Sequence, residues 1–503
     1  MRIIIPMTGK SSRFKKAGIM LPKQFLKVKN KLIIEHILDM FPDEDDINLI
    51  ANNEQLNDPN LKSYFQKLEK YKITAIDFQD KGPGGALLAT DLLETNEQIF
   101  INYCDFANIW NWQKIKDTIK KEDPDGLIPA YSGLHPHNLY GNNYAFLKVN
   151  ESGVESIQEK VPFTEDKTQE LASTGGYYFK SGNLAKEYII KVFQENLLVN
   201  NEVYISTPYE LMINDKLKVI THKINYFFQW GTPEDYSEFK YSLQEVENID
   251  TNSKISLNGI NLVIPAAGSG KRFQDENYKI PKIVLPVRGE PLIKNILNSF
   301  HNQLSTKILV NKNDELVKKE LLKKNNGYDI ISLSEKTKDQ SESAMRLIDE
   351  LDNDHPILIH SADVILDKSL RFNFNNYDVV VFTKECYRRA SHGYKNYGWV
   401  NSKNDVIFDF SIKTKPTNSN STVITGIFLF KNKKVYKDLY ESTRKKQNGS
   451  GEMHIDYMVE TAIMKNMKVI EMKSKKTTML GTPLEYELFN YMAFVSDYLE
   501  SKK

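Results

Sequence analysis

Apolar residues fall along the chain in short continuous runs separated by longer amphipathic stretches. In the first half RIIIPM, INLIAN, QIFINYC, GLIPAY, YAFLKV and GGYYFK read as buried strands, each only six or seven residues long and bounded by polar turns. Between them KLIIEHILDMF, GGALLATDLL and NLAKEYIIKVFQ space their apolar positions at helical intervals. Strands alternating with helices predict an α/β fold around a mostly parallel, doubly wound sheet. Ligands are then expected beyond the carboxyl ends of the strands, where the loops converge.

The pattern restarts past mid-chain. LVIPAAGSGKRF, beginning at Leu262, runs four apolar residues into a glycine turn carrying two cations, a good place to hold an anion. It is neither of two familiar phosphate loops. Pro265 and Arg272 stand where a Walker loop requires glycine and Ser/Thr, and Phe273 stands where a dinucleotide fingerprint requires glycine. This stretch has a twin at the amino terminus. IIIPMTGKSSRFKKAGIMLPKQFLKV and LVIPAAGSGKRFQDENYKIPKIVLPV align without a gap, with Gly9 and Gly268, and Lys23 and Lys282, both 259 residues apart. Asp105 and Asp363 follow at 258, Thr174-Gly175 and Thr425-Gly426 at 251, and Glu202 and Glu452 at 250, as do the two Gly-Thr-Pro segments at Gly231 and Gly481. A slow drift in separation is the signature of one unit written twice with short loop deletions. The expected domains are 1–244 and 260–503, joined by a linker at 245–259, the polar run EVENIDTNSKISLNG.

Composition narrows the class. Lys plus Arg, 67, nearly equals Asp plus Glu, 66, so no global field recruits nucleic acid or an anionic membrane. The amino-terminal apolar run is too short for a signal peptide, and no segment approaches a membrane span. Two cysteines, Cys104 and Cys386, cannot make a disulfide framework or a four-ligand zinc site. A cytoplasmic protein is expected.

The duplicated loop, the Pro-Lys at Lys23 and Lys282, and the strand-end Asp105 and Asp363 together resemble the sugar-phosphate nucleotidyltransferase superfamily, which includes nucleoside-diphosphate-sugar pyrophosphorylases and small phosphate-compound cytidylyltransferases. Through NYCDF, HPHNLYGNNYAF, QEKVPFT and QWGTPEDY the first half is similar to bacterial proteins of capsule or lipopolysaccharide synthesis. The resemblance implies two tandem Rossmann-like, GT-A-like domains. It also implies a reaction in which a phosphate or phosphonate oxygen of a small acceptor attacks the α phosphorus of a nucleoside triphosphate and pyrophosphate leaves. Such chemistry needs positioning and charge rather than an enzyme nucleophile.

By the same resemblance Arg13 and Arg272 clamp the leaving phosphates, and Lys23 and Lys282 neutralise charge at the α phosphate. Asp105 and Asp363 ligate Mg2+, a hard cation suited to carboxylate and phosphate oxygens. Lys160 is a further catalytic candidate, with Lys413 or Lys415 as its counterpart. Gly9, Ser11 and Ser12 in the first loop, and Gly268, Ser269, Gly270 and Lys271 in the second, are expected to bind nucleotide. Gly82, Gly84 and Gly85 are expected to meet the nucleobase, as are Gln340, Ser341 and Ser343 in the second half, so the halves can prefer different bases; cytidine or uridine triphosphate is favoured. His135, His137, Thr174, Gly175, Glu202, Thr425, Gly426 and Glu452 are the acceptor candidates, a loop hydrogen-bonding role being equally open for the histidines. Homo-oligomerisation stays open.

Two departures stand out. The family's second metal-ligating Asp, two residues before Gly-Thr, is Gln229 in the first half and Met479 in the second. A glutamine carbonyl oxygen can serve a cation; a methionine is a poor magnesium ligand. A glycosyltransferase is the competing enzyme reading, lowered because CDFAN and ADVIL each offer one Asp rather than a D-x-D pair. The other competitor pairs one catalytic half with a nucleotide-binding or structural half.

Overall fold

The computed structural model describes residues 1–503 except 324–326, 334, 373–375, 386–392, 417, 419, 448–450 and 503; Cys386 lies outside the described residues. The chain divides into two compact units, Met1–Phe239 and Lys240–Lys503.

In the first unit one mixed sheet runs in the order Gly153–Glu159, Ala145–Asn150, Leu171–Ser173, Gly126–Tyr131, Gly176–Phe179, Ile99–Asn102, Arg2–Pro6, Ile47–Asn52, Lys72–Ile76, with Val219–Lys223 also on Gly126–Tyr131. Lys72–Ile76 through Ile99–Asn102 pair in parallel, and the apolar runs read as strands all lie in this sheet. Only Gly153–Glu159, Leu171–Ser173 and Gly176–Phe179 run against the others, so the sheet is mostly parallel in strand direction. Ile3, Ile4 and Ile5 in the central strand are fully buried, each contributing about 1.5–3 kcal/mol by leaving water. Past Asn102 the chain forms a short strand, Phe106–Ile109, paired with Tyr226–Gln229. This pairing brings the Gly-Thr-Pro turn to Asp105, whose carbonyl accepts from Trp230 N at 2.7 Å.

The second unit has the order Asp329–Leu333, Thr306–Asn311, Asn261–Pro265, Ile357–His360, Thr422–Phe430, Val379–Lys384, Val469–Ser474, Val406–Ile412, Gly398–Lys403. Here Thr422–Phe430 and Val406–Ile412 are the reversed strands. Val364–Ile365 pairs with Thr478–Met479, and Leu480 N donates to Asp363 O at 2.8 Å.

The stretch 245–259 differs from the expected linker. Residues 245–250 finish the helix Pro233–Asp250, and Ile255–Ser256 pairs with Phe300–His301. Val246 and Ile249 are buried, Asn248 donates to Leu366 O at 2.9 Å, and Lys368 Nζ donates to the carbonyls of Ile249 and Thr251 at 2.8 and 3.0 Å. Those last bonds satisfy carbonyls that the helix end leaves open. The sparse apolar residues of this polar run therefore form a buried helical face.

Candidate active sites

Each central strand delivers a loop that enters a short helix, Ser12–Lys16 or Lys271–Asp275. The residue before the helix is left-handed in both, Ser11 at φ 50° and Gly270 at φ 64°. Gly9, Gly268 and Gly270 have no protein atom within 4 Å of where a Cβ would lie, and Ser12, Ser269, Lys271, Arg13 and Arg272 are exposed, so both loops open onto free space.

Ser11 Oγ accepts from Lys23 N at 3.1 Å, tying the Pro-Lys segment to the first loop. From there Lys23 Nζ reaches Asp105 Oδ2 at 2.5 Å; in the second unit Lys282 Nζ reaches Asp363 Oδ2 at 2.6 Å. Burial pulls the Lys23 ammonium down, but the Asp105 carboxylate outweighs it and the group titrates above the ordinary lysine range. Burial likewise pushes Asp363 up and is outweighed by Lys282, which leaves its carboxyl below the usual range. Beside Lys23, burial pushes the Cys104 thiol up to about 11, away from nucleophilic use.

Behind each carboxylate lies the Gly-Thr-Pro turn. A Cβ on Gly231 would come within 2.8 Å of Asp105 Oδ2 and 3.4 Å of Gln229 Oε1; one on Gly481 would meet Asp363 Oδ2 at 3.1 Å and Glu485 Oε2 at 3.6 Å. Gln229 donates its amide nitrogen to Asp235, which leaves its carbonyl oxygen on the Asp105 side. A carboxylate and an amide oxygen converging on one glycine are hard donors that fit magnesium, with phosphate and water oxygens completing the shell. Among the described residues no group of three His, Cys, Asp or Glu side chains could hold a metal by itself. In the second unit the counterpart of Gln229 is Met479, and the nearer oxygen is that of Glu485. Asp235 and Glu485 were not read from the sequence. Each stands three residues past the turn threonine and caps its helix, Thr232 Oγ1 donating to Asp235 at 2.7 Å and Thr482 Oγ1 to Glu485 at 3.1 Å. The T-x-x-D/E spacing was the available signal.

A second group of charges surrounds Lys160. Its φ is 63°, its N donates to Tyr144 O at 2.9 Å, and its Nζ sits 3.8 Å from both the Tyr204 ring centroid and Glu159 Oε1. Burial pulls the Lys160 ammonium down, opposed by Glu159 and Glu202 and reinforced by Arg13, so these residues share one electrostatic field. Lys413 repeats the arrangement, with φ 54°, its N on Tyr397 O at 2.9 Å and its Nζ 3.1 Å from His454 Nε2. That backbone and side-chain geometry selects Lys413 over Lys415, both of which are exposed. Glu452 Oε2 is 3.9 Å from the same histidine, whose proton affinity is lowered by burial first and then by Lys413, with Arg272 adding to it.

Residues 261–480 match the family model described as Nucleotidyl transferase. Through this segment, less than half of its length, the chain is similar to the nucleotidyltransferase superfamily. Over 213 residues the chain is 28% identical to bifunctional protein GlmU of Methanococcus aeolicus, which is 42% of this chain but 49% of that protein, so it spans about half the relative's length. It is 26% identical to 2-C-methyl-D-erythritol 4-phosphate cytidylyltransferase of Actinobacillus pleuropneumoniae, covering 40% of this chain and 78% of that one. Among solved structures, a nucleoside-diphosphate-sugar pyrophosphorylase from Vibrio cholerae is 22% identical over 47% of this chain and 99% of its own, with a TM-score of 0.38. No helix of the described residues is long and apolar enough to cross a membrane.

Several residues expected to face ligands pack against protein groups. Gly84 and Gly85 leave no room for a Cβ against Val203 and Gln79, and on Gly82, at φ 71°, a Cβ would lie 2.8 Å from Glu202 Cβ. These glycines let the loop pack on the 202–203 segment, where Val203 O accepts from Gly84 N at 3.0 Å. Ser341 is fully buried and donates to Asp339 at 2.7 Å, and Ser343 is buried against Thr337; of that trio Gln340 retains partial exposure. Thr174 and Thr425 are buried, accepting from Asn108 at 3.3 Å and donating to Phe382 O at 2.9 Å respectively. Gly175 and Gly426, at φ 93° and 81°, sit tight against Phe106 and Ser361, which a side chain would displace. His135 and His137 pack in an aromatic cluster with Tyr131, Tyr144 and Phe227, and His137 Nε2 lies 2.9 Å from Tyr131 Oη. Burial pushes His135 down to about 4. The aromatic character of HPHNLYGNNY carried this packing signal.

Proposed function

We propose that the chain is a tandem nucleotidyltransferase that condenses a nucleoside triphosphate with a sugar 1-phosphate or another small phosphate or phosphonate compound, releasing pyrophosphate. The observation that carries this reading is the lysine–carboxylate pair beneath an open glycine loop, at 2.5 Å in one unit and 2.6 Å in the other. Preorganised charge of this kind is what transfer to a phosphoryl centre requires. The arginine of each loop orients the departing phosphates, the Pro-Lys lysine meets charge developing at the α phosphate, and the acceptor's anion faces Lys160 or Lys413. Asp105 with Gln229 would hold magnesium in the first unit. When bound, that ion supplies charge neutralisation across the phosphate oxygens. The cytidylyltransferase relative supports a pyrimidine triphosphate and a phosphorylated acceptor; the resemblance of the first half to proteins of capsule or lipopolysaccharide synthesis makes the product an activated precursor of surface polysaccharide, formed in the cytoplasm.

Met479 favours one refinement: the second unit binds nucleotide and turns over slowly or on another substrate. Pyrophosphate release across the ribonucleoside triphosphates, with a panel of sugar 1-phosphates and small phosphate or phosphonate acceptors, tests the reading. Magnesium-dependent release that requires both a triphosphate and one acceptor is expected. Release independent of any acceptor, or transfer of a sugar from a nucleotide sugar without pyrophosphate, would overturn it.

A further inference from the structure

The charged group around Lys160 and Lys413 differs between units in a compensated way. In the first unit the carboxylate beside the lysine comes from the strand: Glu159 precedes Lys160, pairs across the hairpin with Ala145, and accepts from Ser206 Oγ at 2.7 Å. Ser206 opens the helix Ser206–Asn214, immediately after the buried Ile205. In the second unit the strand position is apolar, Ile412, and its cross-strand partner is Gly398. The helix now supplies the acid. Asp456 follows the buried Ile455 in the helix Ile455–Met464, and its Oδ2 lies 2.9 Å from where a Cβ on Gly398 would be. Three positions thus change together: the acid leaves the strand, appears on the helix facing it, and the residue between loses its side chain to admit it.

We propose that Asp456 is the second unit's replacement for Glu159, a positioning residue that holds the Lys413 ammonium over a phosphorylated acceptor. Burial pushes the Asp456 carboxyl up to about 6 and the Lys413 charge opposes that rise, as the Lys160 charge does for the buried Glu159. The inference rests on reading both units as nucleotidyltransferase sites, and it assigns the second unit an acceptor of the same anionic class as the first. The neighbours differ, Tyr204 under Lys160 and His454 beside Lys413, so the group next to the acceptor phosphate is read by an imidazole rather than a phenol ring.

The test uses the full chain carrying Asp105→Asn, so that turnover reports the second unit, with Asp456→Ser, Asp456→Asn and the double variant Ile412→Glu/Asp456→Ser built on it. Lys413 is followed by NMR of 13C-methylated lysines, assigned with Lys413→Arg, and pyrophosphate release gives KM for the acceptor and kcat. Asp456→Ser and Asp456→Asn should each lower the Lys413 titration, the direction set by loss of a neighbouring negative charge. Either should also raise the acceptor KM roughly tenfold, as for a lost charge-assisted contact, with nucleotide affinity unchanged. The double variant should restore both readouts. An unchanged Lys413 titration in Asp456→Ser and Asp456→Asn, or a folded double variant that restores nothing, would overturn the proposal. If the parent releases no pyrophosphate with any acceptor, the functional reading of the second unit fails, while the lysine titration still judges Asp456.

Discussion

The two candidate sites hold the same lysine–carboxylate pair to within a tenth of an ångström but differ in what stands behind the carboxylate. In the first unit Gln229 turns a carbonyl oxygen to the Asp105 side; in the second, Met479 occupies that strand end and Glu485 is the nearest other oxygen. The loops differ in the opposite sense. The second places glycine at its left-handed position, whereas the first forces Ser11 into it. On the proposed reading, charge clamping of phosphate and coordination of a cation are therefore separable here. The pair common to both units should control transferase chemistry, and the feature that differs should set how strongly each depends on magnesium.

The largest expected effect breaks the common part. Lys23→Ala should lower pyrophosphate release at the first unit by about 100-fold or more, since a charge stabilising the transferring phosphate is lost; Lys282→Ala should do the same for whatever release the second unit supports. Assays in a background with the other site disabled check both.

Loss of stability in acid is the next largest expected effect. Burial pushes His135 in the first unit and His360 in the second down to about 4, from an ordinary 6.5. The unfolded chain takes the proton first, so each group withdraws stability as pH falls from 6.5 to about 4, and neither withdraws more below that. A shift of this size corresponds to at most about 3 kcal/mol per histidine. The sequence position matching His360 in the first unit is Asn102, so His360→Asn should reduce the acid loss of the full chain by one histidine's share. Urea unfolding at a series of pH values measures it.

The smallest effect exchanges the differing part. Gln229→Met should raise the magnesium concentration needed for half-maximal release at the first unit by roughly tenfold, the scale of a disturbed metal shell. Met479→Gln should lower that requirement at the second. A magnesium titration with no change in either variant would remove Gln229 from the metal shell.

Much of the fold was legible because its strands are uninterrupted apolar runs, from Ile3–Ile5 to Ile357–Ile359, and such runs have few alternatives to burial in a sheet. The Lys23–Asp105 contact spans 82 residues and could be inferred only from its recurrence at Lys282 and Asp363. Residues doing two local jobs were harder. Asp235 and Glu485 look like helix caps and are caps, which hid their approach to the site. Ser341 and Thr174 are polar, yet backbone direction turns them inward, and polarity alone carries no direction. Lys413 and Lys415 were indistinguishable until the left-handed backbone at Lys413 matched that at Lys160. Val246 and Ile249 were too sparse among polar neighbours to reveal a helix face.

The central claim, that the first unit carries the main transfer and the second binds nucleotide with slow turnover, is tested most directly by comparing Asp105→Ala with Asp363→Ala, recording nucleotide affinity and pyrophosphate release with the true acceptor. Asp105→Ala should remove most release while leaving a nucleotide-binding site, and Asp363→Ala should leave most release intact. Loss of all release in Asp363→Ala, with Asp105→Ala at full rate, would contradict the account and make the glycine loop, rather than the oxygen behind the carboxylate, the feature that decides which unit works.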